Sequence, residues 1–537
     1  MDDRFWNFVF DQQPEMNPRI AEGIAIRQLE GPELRIDRVW RCASKLFQEG
    51  LTYEGFKVCT PEEELAQKTR RRNGQTLELS QSDVFMVKYI FNYNGRHLVD
   101  VPLYLPFCRP EDAGSLYIRG SRFTISPVIA DRCLSVSKGS VFFPPLRDKL
   151  TFTQFPWSVI IDDRPETVYV QKSKIHHYTQ EAEVKKMPGS IQGHHTLMHY
   201  LFCRYGLVDT FQLHFDCDPL FGDDTTITPE KYPKEGWVIV RSVGAKPRVL
   251  KNAHYQPTNL RVAIPRHQWN GAVESAVAGF FYLADLFPER VTLEDLDSER
   301  LWCILFGVII FGASNGEGKV LEDFRNHLAS LDEYIDEVTR EDLHGDGVPV
   351  DNIYELFVYI VEQMPRLLAN TDVANLEGKR LITWKYVLYD IIRAIFSLTY
   401  QLNPKSRKLQ EQDLKKTFTR GLSPELIMKI NGAGHPEVSN ISSPSDSKLN
   451  KFTTSAIPQS RAGARSSRGD HDRTFSDPQS HFHSTIMAFG SFLNQPKSDP
   501  GGGSKLNPYA ELGSQDEFKV PEKFRDQLAE VQKKLAR

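Results

Sequence analysis

Between residues 84 and 145 apolar and polar side chains alternate with a period of two, as in "HLVDVPLYLPF" and "SLYIRGSRFTIS". That period predicts strands with one buried face. Gly120-Ser121 falls between two such runs, where a two-residue turn needs a residue free to adopt positive φ, so a hairpin is expected there. Residues 150 to 265 continue as β-rich, turn-punctuated sequence, for example "TVYVQKSKI" and "GWVIVRSV". From about 270 to 430 the apolar positions instead recur at three-and-four spacing, in "AVAGFFYLADLF", "LEDFRNHLASLDEYIDEV", "IYELFVYIVEQM" and "KYVLYDIIRAIFSLTYQL". This is the stripe of amphipathic helices. Strands followed by helices predict an α+β fold with helices packed beside antiparallel sheets.

Residues 432 to 516 change character, to Ser, Gly, Pro, Asn and basic side chains with few aliphatic clusters. Such a segment cannot bury much surface by itself, and reads as a linker or as loops ordered by partners. Order returns in "VPEKFRDQLAEVQKKLAR", where Pro521 suits a first helical turn and Phe524, Leu528, Val531 and Leu535 fall on one stripe. No internal repeat is visible.

A chain of 537 residues is too long for one core. Net charge is −4, so any contact with nucleic acid must be local. The seven cysteines include no CxxC pair, which suggests neither a disulfide framework nor a zinc ribbon and fits a reducing, intracellular setting. The N-terminus lacks the basic stretch of a signal peptide, and the longest apolar run, about residues 303 to 313, is too short to span a bilayer; no membrane partner is expected.

Several stretches imitate chemistry. "GVIIFGASNGEGKV" (307–320) resembles a phosphate-binding P-loop, but five residues rather than four separate Gly312 from Gly318, and Val320 stands where a metal-holding hydroxyl is needed. His195, His199 and Cys203 are spaced by four and would line one helix face, yet the ligand set is incomplete and packing is the simpler reading. Asp216, Asp218, Asp223 and Asp224 in "DCDPLFGDD" read more simply as an acidic turn than as a cation site. "DLHGDGVPVD" lacks the spaced oxygens of an EF-hand. No catalytic or metal-binding set emerges. The remaining candidates are basic: Arg461, Arg465 and Arg468, with Arg473, then Lys497 and Lys505, on a backbone suited to phosphate contact. Phe475, Phe482, Phe489 and Phe492 lie among them and could stack on bases or partner side chains. A solvated linker would have a similar composition.

The order of the segments resembles a known family. "DVPLYLPFCRPEDAGSLYIRGSRFTISPVIADR" (100–132) is similar to a stretch of the β-type, second-largest subunit of multi-subunit RNA polymerases, through Gly114, Ile118, Gly120, Ser121, Ile125 and Arg132. "LFGVIIFGASNGEGKVLEDF" resembles that family's lobe helix, its loop and the next helix. "DVANLEGKRLITWKYVLYDIIRAIF" resembles the segment that returns the chain to the protrusion, through Gly378, Lys379, Arg380 and Leu381. "HSTIMAFGSFLNQPKSDPGGGSKLNP" (483–508) is similar to the fork region, though "AFGS" replaces the basic pair that usually follows the fork helix. The similarity runs in order across about residues 80 to 510. The chain stops before the family's Glu-Thr-Pro-Glu-Gly segment, as in the split polymerases of giant tailed bacteriophages.

The resemblance implies a protrusion-like domain in two parts, 1–145 and 366–438, with a lobe-like domain, 146–365, inserted between them. A fork-like segment, 439–516, and a C-terminal helix, 517–537, follow. It implies a non-catalytic subunit whose activity, nucleotidyl transfer, belongs to the whole assembly. Mg²⁺ would be held by aspartates of another subunit and none by this chain. Partners would be the C-terminal β-like part, the β′-like parts, the DNA template and the RNA product. Phe524, Leu528, Val531 and Leu535 would dock on the subunit carrying the rest of β. The setting would be the cytoplasm of an infected bacterium, with the enzyme either carried in the virion or made after infection. The competing readings are a phage structural or scaffold protein and a stand-alone nucleotide-dependent enzyme.

Overall fold

A computed structural model describes residues 17–21, 23–69, 80–108, 115–125, 127–137, 139–146, 150–174, 195–250, 254–312, 316–369, 375–404, 408–429, 441–442, 459–462, 485–489, 504–505, 507 and 509–535. The chain forms two compact units: Met1–Arg132 with Asp372–Arg537, and Cys133–Thr371. Both mix helices with mainly antiparallel strands, so the fold is α+β as the change of period predicts.

The first unit opens with short helices α1 (Pro18–Ala21) and α2 (Ile24–Gln28), then α3 (Pro32–Ser44). Gly31 adopts φ 60° just before α3, and Pro32 fits its first turn, where no backbone N–H is needed. Strand β1 (Leu51–Val58), helix α4 (Pro61–Thr69), and strands β2 (Val84–Tyr93) and β3 (Arg96–Pro106) follow. The three strands form an antiparallel sheet in the order β1-β2-β3. Trp40 of α3 is fully buried on this sheet, its ring centroid 4.9 Å from that of Phe91.

Strands β4 (Ser115–Ile118) and β5 (Ser121–Ile125) make the expected hairpin. Its turn residues are Arg119 and Gly120, at φ 51° and 78°, one position earlier than the Gly120-Ser121 expectation. Two consecutive positive φ values give the turn whose twist matches the strands, and Ser121 is already paired with Ile118. Strand β6 (Val128–Asp131) ends this part of the unit.

The second unit contains β7 (Ser135–Ser137), β8 (Ser140–Phe143), β9 (Leu150–Ile161), β10 (Arg164–Lys174), helices α5 (Leu197–Tyr205) and α6 (Leu207–Phe215), β11 (Leu220–Gly222), β12 (Trp237–Ser242) and β13 (Arg261–Pro265). Its sheet runs β11-β13-β12-β9-β8-β7, with β10 pairing along β9. Five further helices follow among its described residues: α7 (Gly271–Leu286), α8 (Glu299–Phe311), α9 (Glu317–Leu331), α10 (Glu337–Gly345) and α11 (Ile353–Ala369). Helices α5 and α6 interrupt the stretch read as β-rich. The first seven residues of α5, Leu197 to Cys203, are all buried, and a helix buried on every side carries no amphipathic period to read. Gly279 of α7 makes this packing possible, since a Cβ there would lie 2.9 Å from Met198 Cγ.

The chain then returns to the first unit through β14 (Lys379–Ile382), the short α12 (Trp384–Val387), α13 (Tyr389–Leu402) and α14 (Glu411–Gly421). Short pieces follow: β15 (Ile441–Ser442), β16 (Gln459–Ala462), α15 (Ile486–Phe489), β17 (Ser504–Lys505) and finally α16 (Glu522–Leu535). Strand β15 pairs with β5, whereas β14 pairs with β6. The other edge of β6 takes β16 in parallel, and β17 pairs with β16. Pro521 sits just before α16, its carbonyl accepting from the N–H groups of Phe524 and Arg525.

Candidate functional site

The segments that carry the chemistry candidates of the first unit gather in one sheet, in the order β14-β6-β16-β17. Its sequence, Lys379-Arg380-Leu381-Ile382, pairs antiparallel with Asp131 back to Val128. The Lys379 ammonium reaches Asp131 Oδ1 at 2.5 Å. Leu381 and Ile129 lie opposite one another and pack into a cluster with Ile20, Ile24, Phe489, Ala510, Phe518 and Val520. Residues 516–518 take the other edge of β14. Leu381 N–H donates to Asp516 O at 2.9 Å, Phe518 N–H donates to Lys379 O at 3.2 Å, and Arg380 faces Glu517 across a β-bridge. The Arg380 side chain is buried and donates to Gln515 Oε1 at 3.4 Å.

Asp516 is the hub of this junction. It has φ 60°, which an Asp tolerates better than most side chains, and is only 4% exposed. Its carboxylate accepts from Arg19 Nη1 at 3.1 Å, Arg27 Nη2 at 2.5 Å and Gln28 Nε2 at 2.7 Å. The Gln28 amide also donates to Leu381 O and accepts from Thr383 N–H, so it ties α2 to the C-terminal end of β14. Gly513 lies against Glu517, whose carboxylate would collide with any Cβ there. Leu376 N–H donates to Thr485 Oγ1, and Phe489 packs on Phe518 at 4.7 Å.

The sheet register places two of the basic candidates. Arg461 stands opposite Val128, and Lys505 opposite Gln459. Because neighbours directly opposed share a face, Leu381 and Ile129 share one face of this sheet and Arg380 stands on the other. Arg465, Arg468 and Lys497 lie outside the described residues. Leu528, Val531 and Leu535 fall within α16, whereas Phe524 in its first turn packs against the chain's own cluster. Arg525 of the same turn pairs with Glu377 at 2.5 Å. Arg19, Arg27, Gln28 and Asp516 were not legible as site residues; the Arg19–Asp516 contact spans 497 positions, and no local motif marks it.

One family's model, described as non-virion RNA polymerase subunit, matches residues 7–527. The chain belongs to this family. No curated protein matches the chain. The matched span takes in both compact units and the β14 junction, and membership makes the chain a subunit that works with other polymerase subunits.

In this family member the P-loop lookalike joins two helices rather than a strand and a helix. Helix α8 ends at Phe311, Gly312 turns at φ 85°, and α9 begins at Glu317. Lys319 Nζ is held by Asp323 at 3.1 Å and Glu322 at 3.5 Å on its own helix. Gly307 serves packing, since a Cβ there would lie 2.6 Å from Val320 Cγ1 of α9. The His/Cys triplet is divided among different partners. His195 precedes α5 and its ring meets Ser173 O at 3.0 Å, and His199 Nδ1 accepts from Thr196 N–H. Burial holds the His199 imidazole well below its usual pKa, hence neutral. Burial pushes the Cys203 thiol up, and Cys303 Sγ lies 3.9 Å from Cys203 O. Asp223 caps its own turn, accepting from the Thr225 and Thr226 hydroxyls at 2.7 and 2.9 Å, which lowers its carboxyl to about 2. Among the described residues no three His, Cys, Asp or Glu side chains converge as a metal site, and no helix is long and apolar enough to cross a membrane.

Proposed function

We propose that the chain is an N-terminal β-like subunit of a multi-subunit DNA-dependent RNA polymerase, contributing no catalytic carboxylate. What carries the reading is the β14 junction: the Gly378–Leu381 segment that resembles the return to the protrusion is paired with the chain that follows the fork-like region. The family match over residues 7–527 supports the polymerase assignment. In this reading the first compact unit is protrusion-like and the second lobe-like. Residues 439–516 form the fork-like wall of the DNA channel. Mg²⁺ belongs to aspartates of another subunit, and a C-terminal β-like chain and β′-like chains are the partners. The family's description, non-virion, favours an enzyme made in the cytoplasm of the infected bacterium over one carried in the virion.

The terminal helix and the basic segment supply the test. An affinity-tagged chain, produced in infected host cells, retrieves promoter-independent RNA synthesis with the other subunits. Leu528→Asp with Val531→Asp weakens that retrieval at least tenfold while the free chain keeps its melting temperature, because each apolar side chain buried at an interface is worth about 1.5 to 3 kcal/mol before association costs. Full recovery by the double variant would place the partner interface elsewhere. In the same complex, charge reversal at Arg461, Arg465 and Lys505 weakens DNA retention. It also flattens its salt dependence by about 0.9 in log–log slope for each phosphate no longer neutralised. An unchanged salt titration would leave this segment as a linker.

A further inference from the structure

Helices α3 and α13 of the first unit pack side by side and run in the same direction. At their starts the Arg35 guanidinium lies over the Trp384 ring, 4.9 Å from its centroid, and Trp384 opens the short helix before α13. At their ends Asn403, which follows α13, donates from Nδ2 to Leu46 O at 3.0 Å. Helix α14 covers a different flank of α13. Gly421 sits so close to Leu398 that a Cβ would lie 2.4 Å from Leu398 Cδ1, with Gln401 next to it. At about 100° per residue, Leu398 and Gln401 lie roughly 80° or more round the helix from Tyr389, Arg393 and Tyr400. Those three fall within about 40° of one another, on an exposed flank that α14 leaves open.

This flank carries two large rings with a guanidinium between them. Tyr389 is 41% exposed and Tyr400 47%, and Arg393 is exposed as well. The stripe is about 16 Å long. Alongside, α3 carries Arg35 on the flank that meets Trp384 and Arg38 about 60° further round, away from its buried face of Ile36, Val39, Trp40 and Ala43, whereas Arg41 lies about 120° from Arg35 on the Asp37 side. The acid of that helix's middle, Asp37, is turned inward, accepting from Tyr53 Oη at 2.6 Å and Arg41 Nε at 2.8 Å. Lys385 Nζ stands 5.6 Å from the Trp384 ring. The other acids of the two helices are Glu33 in the first turn of α3 and Asp390 at the start of α13, both half-buried. The surface is therefore cationic with aromatic platforms, complementary to a polyanion that carries flat, stackable groups.

We propose that the exposed surface along α3 and α13 binds single-stranded nucleic acid, with Tyr389 and Tyr400 stacking on bases and Arg38 and Arg393 contacting phosphates. Paired bases present no free face to a tyrosine ring, so the rings select a single strand over a duplex. Stacking and phosphate contact do not involve the 2′-hydroxyl, so DNA and RNA strands are bound alike. This surface is separate from the basic candidates around β16 and β17, and binding there does not depend on the β-like assignment.

The test is fluorescence anisotropy of the full-length chain with labelled 20-mers of oligo(dT) and oligo(U) and a duplex of equal length. Both single strands bind with similar affinity and the duplex more weakly. Tyr389→Ala with Tyr400→Ala lowers single-strand affinity about tenfold or more, since each stacked base contributes substantially to such complexes. Tyr389→Phe with Tyr400→Phe keeps it, because the ring survives. Arg393→Gln reduces the slope of log affinity against log salt by about 0.7. Lys231→Gln, the same charge change on the other compact unit, alters neither. Wild-type affinity in the double alanine variant, an equally large drop in the phenylalanine variant, or a preference for duplex would each overturn the proposal. Failure of polymerase retrieval with single-strand binding intact would reject the β-like reading alone.

Discussion

Asp516→Ala is expected to lower the stability of the first compact unit by about 2 to 4 kcal/mol, read as a drop in its urea midpoint. Two effects add. The substitution removes the common acceptor of Arg19, Arg27 and Gln28, leaving donors around an uncharged pocket. It also puts alanine at φ 60°, where an L side chain without a polar group costs about 1 to 2 kcal/mol. The guanidinium groups keep some solvent contact, which is why the figure stays below that of a fully buried pair. Asp516→Asn retains an acceptor and the tolerance for positive φ, and should cost less than half as much. Protease cleavage within α1 and α2 should rise in the alanine variant, since those helices are tied to the unit partly through this carboxylate. Equal midpoints for wild type and Asp516→Ala would mean that the hydrophobic cluster around Leu381 holds the junction without it.

The second compact unit should become less stable as pH rises from about 4 to about 7. Asp285, near the end of α7, is buried, and desolvation pushes its carboxyl up to about 7 despite the Ser242 hydroxyl donating to it at 2.6 Å. An ordinary unfolded-state carboxyl titrates near 3.9. Between these values the folded state holds the proton and the unfolded state releases it, so stability falls with pH across that window. A tenfold difference in proton affinity corresponds to about 1.4 kcal/mol, so the fall is on the order of 4 kcal/mol by pH 7 and above. Asp285→Asn keeps the shape and the Ser242 contact but cannot ionise. The variant should therefore match wild type near pH 4 and exceed it by about 3 to 4 kcal/mol at pH 8, in denaturant titrations that follow the second unit. A constant difference between the two proteins across pH would show that this carboxylate keeps its charge when folded.

Much of the fold was legible because it depends on neighbours along the chain. The period-two runs became β3, β4 and β5, and the three-and-four runs became α7, α9, α11 and α13. The P-loop lookalike could be set aside on spacing and the missing hydroxyl, and the structure supplies the positive reason: Gly307 and Gly312 serve a helix pair. Helices α5 and α6 were not legible. In α5, Leu197 to Cys203 are all buried, which erases the period, and α6, with Leu207, Phe211 and Phe215 buried but Leu213 exposed, is too short for its stripe to stand out.

The candidate site divides in the same way. Arg461 and Lys505 could be nominated from local composition, but nothing local could pair position 461 with Val128 or position 505 with Gln459. Sequence by itself determined the α+β class, the positions of the long helices, the hairpin after β4 and the order of segments that resembles a polymerase β subunit. Each of these is encoded in residue periods or in motifs a few positions long. Tertiary structure alone decided that Asp516 gathers Arg19, Arg27 and Gln28, that β14 is flanked by β6 and by residues 516–518, and that Arg35 of α3 meets Trp384. Those pairings join residues far apart along the chain, and their energy comes from shared desolvation and hydrogen bonding that exist only once the chain has closed on itself.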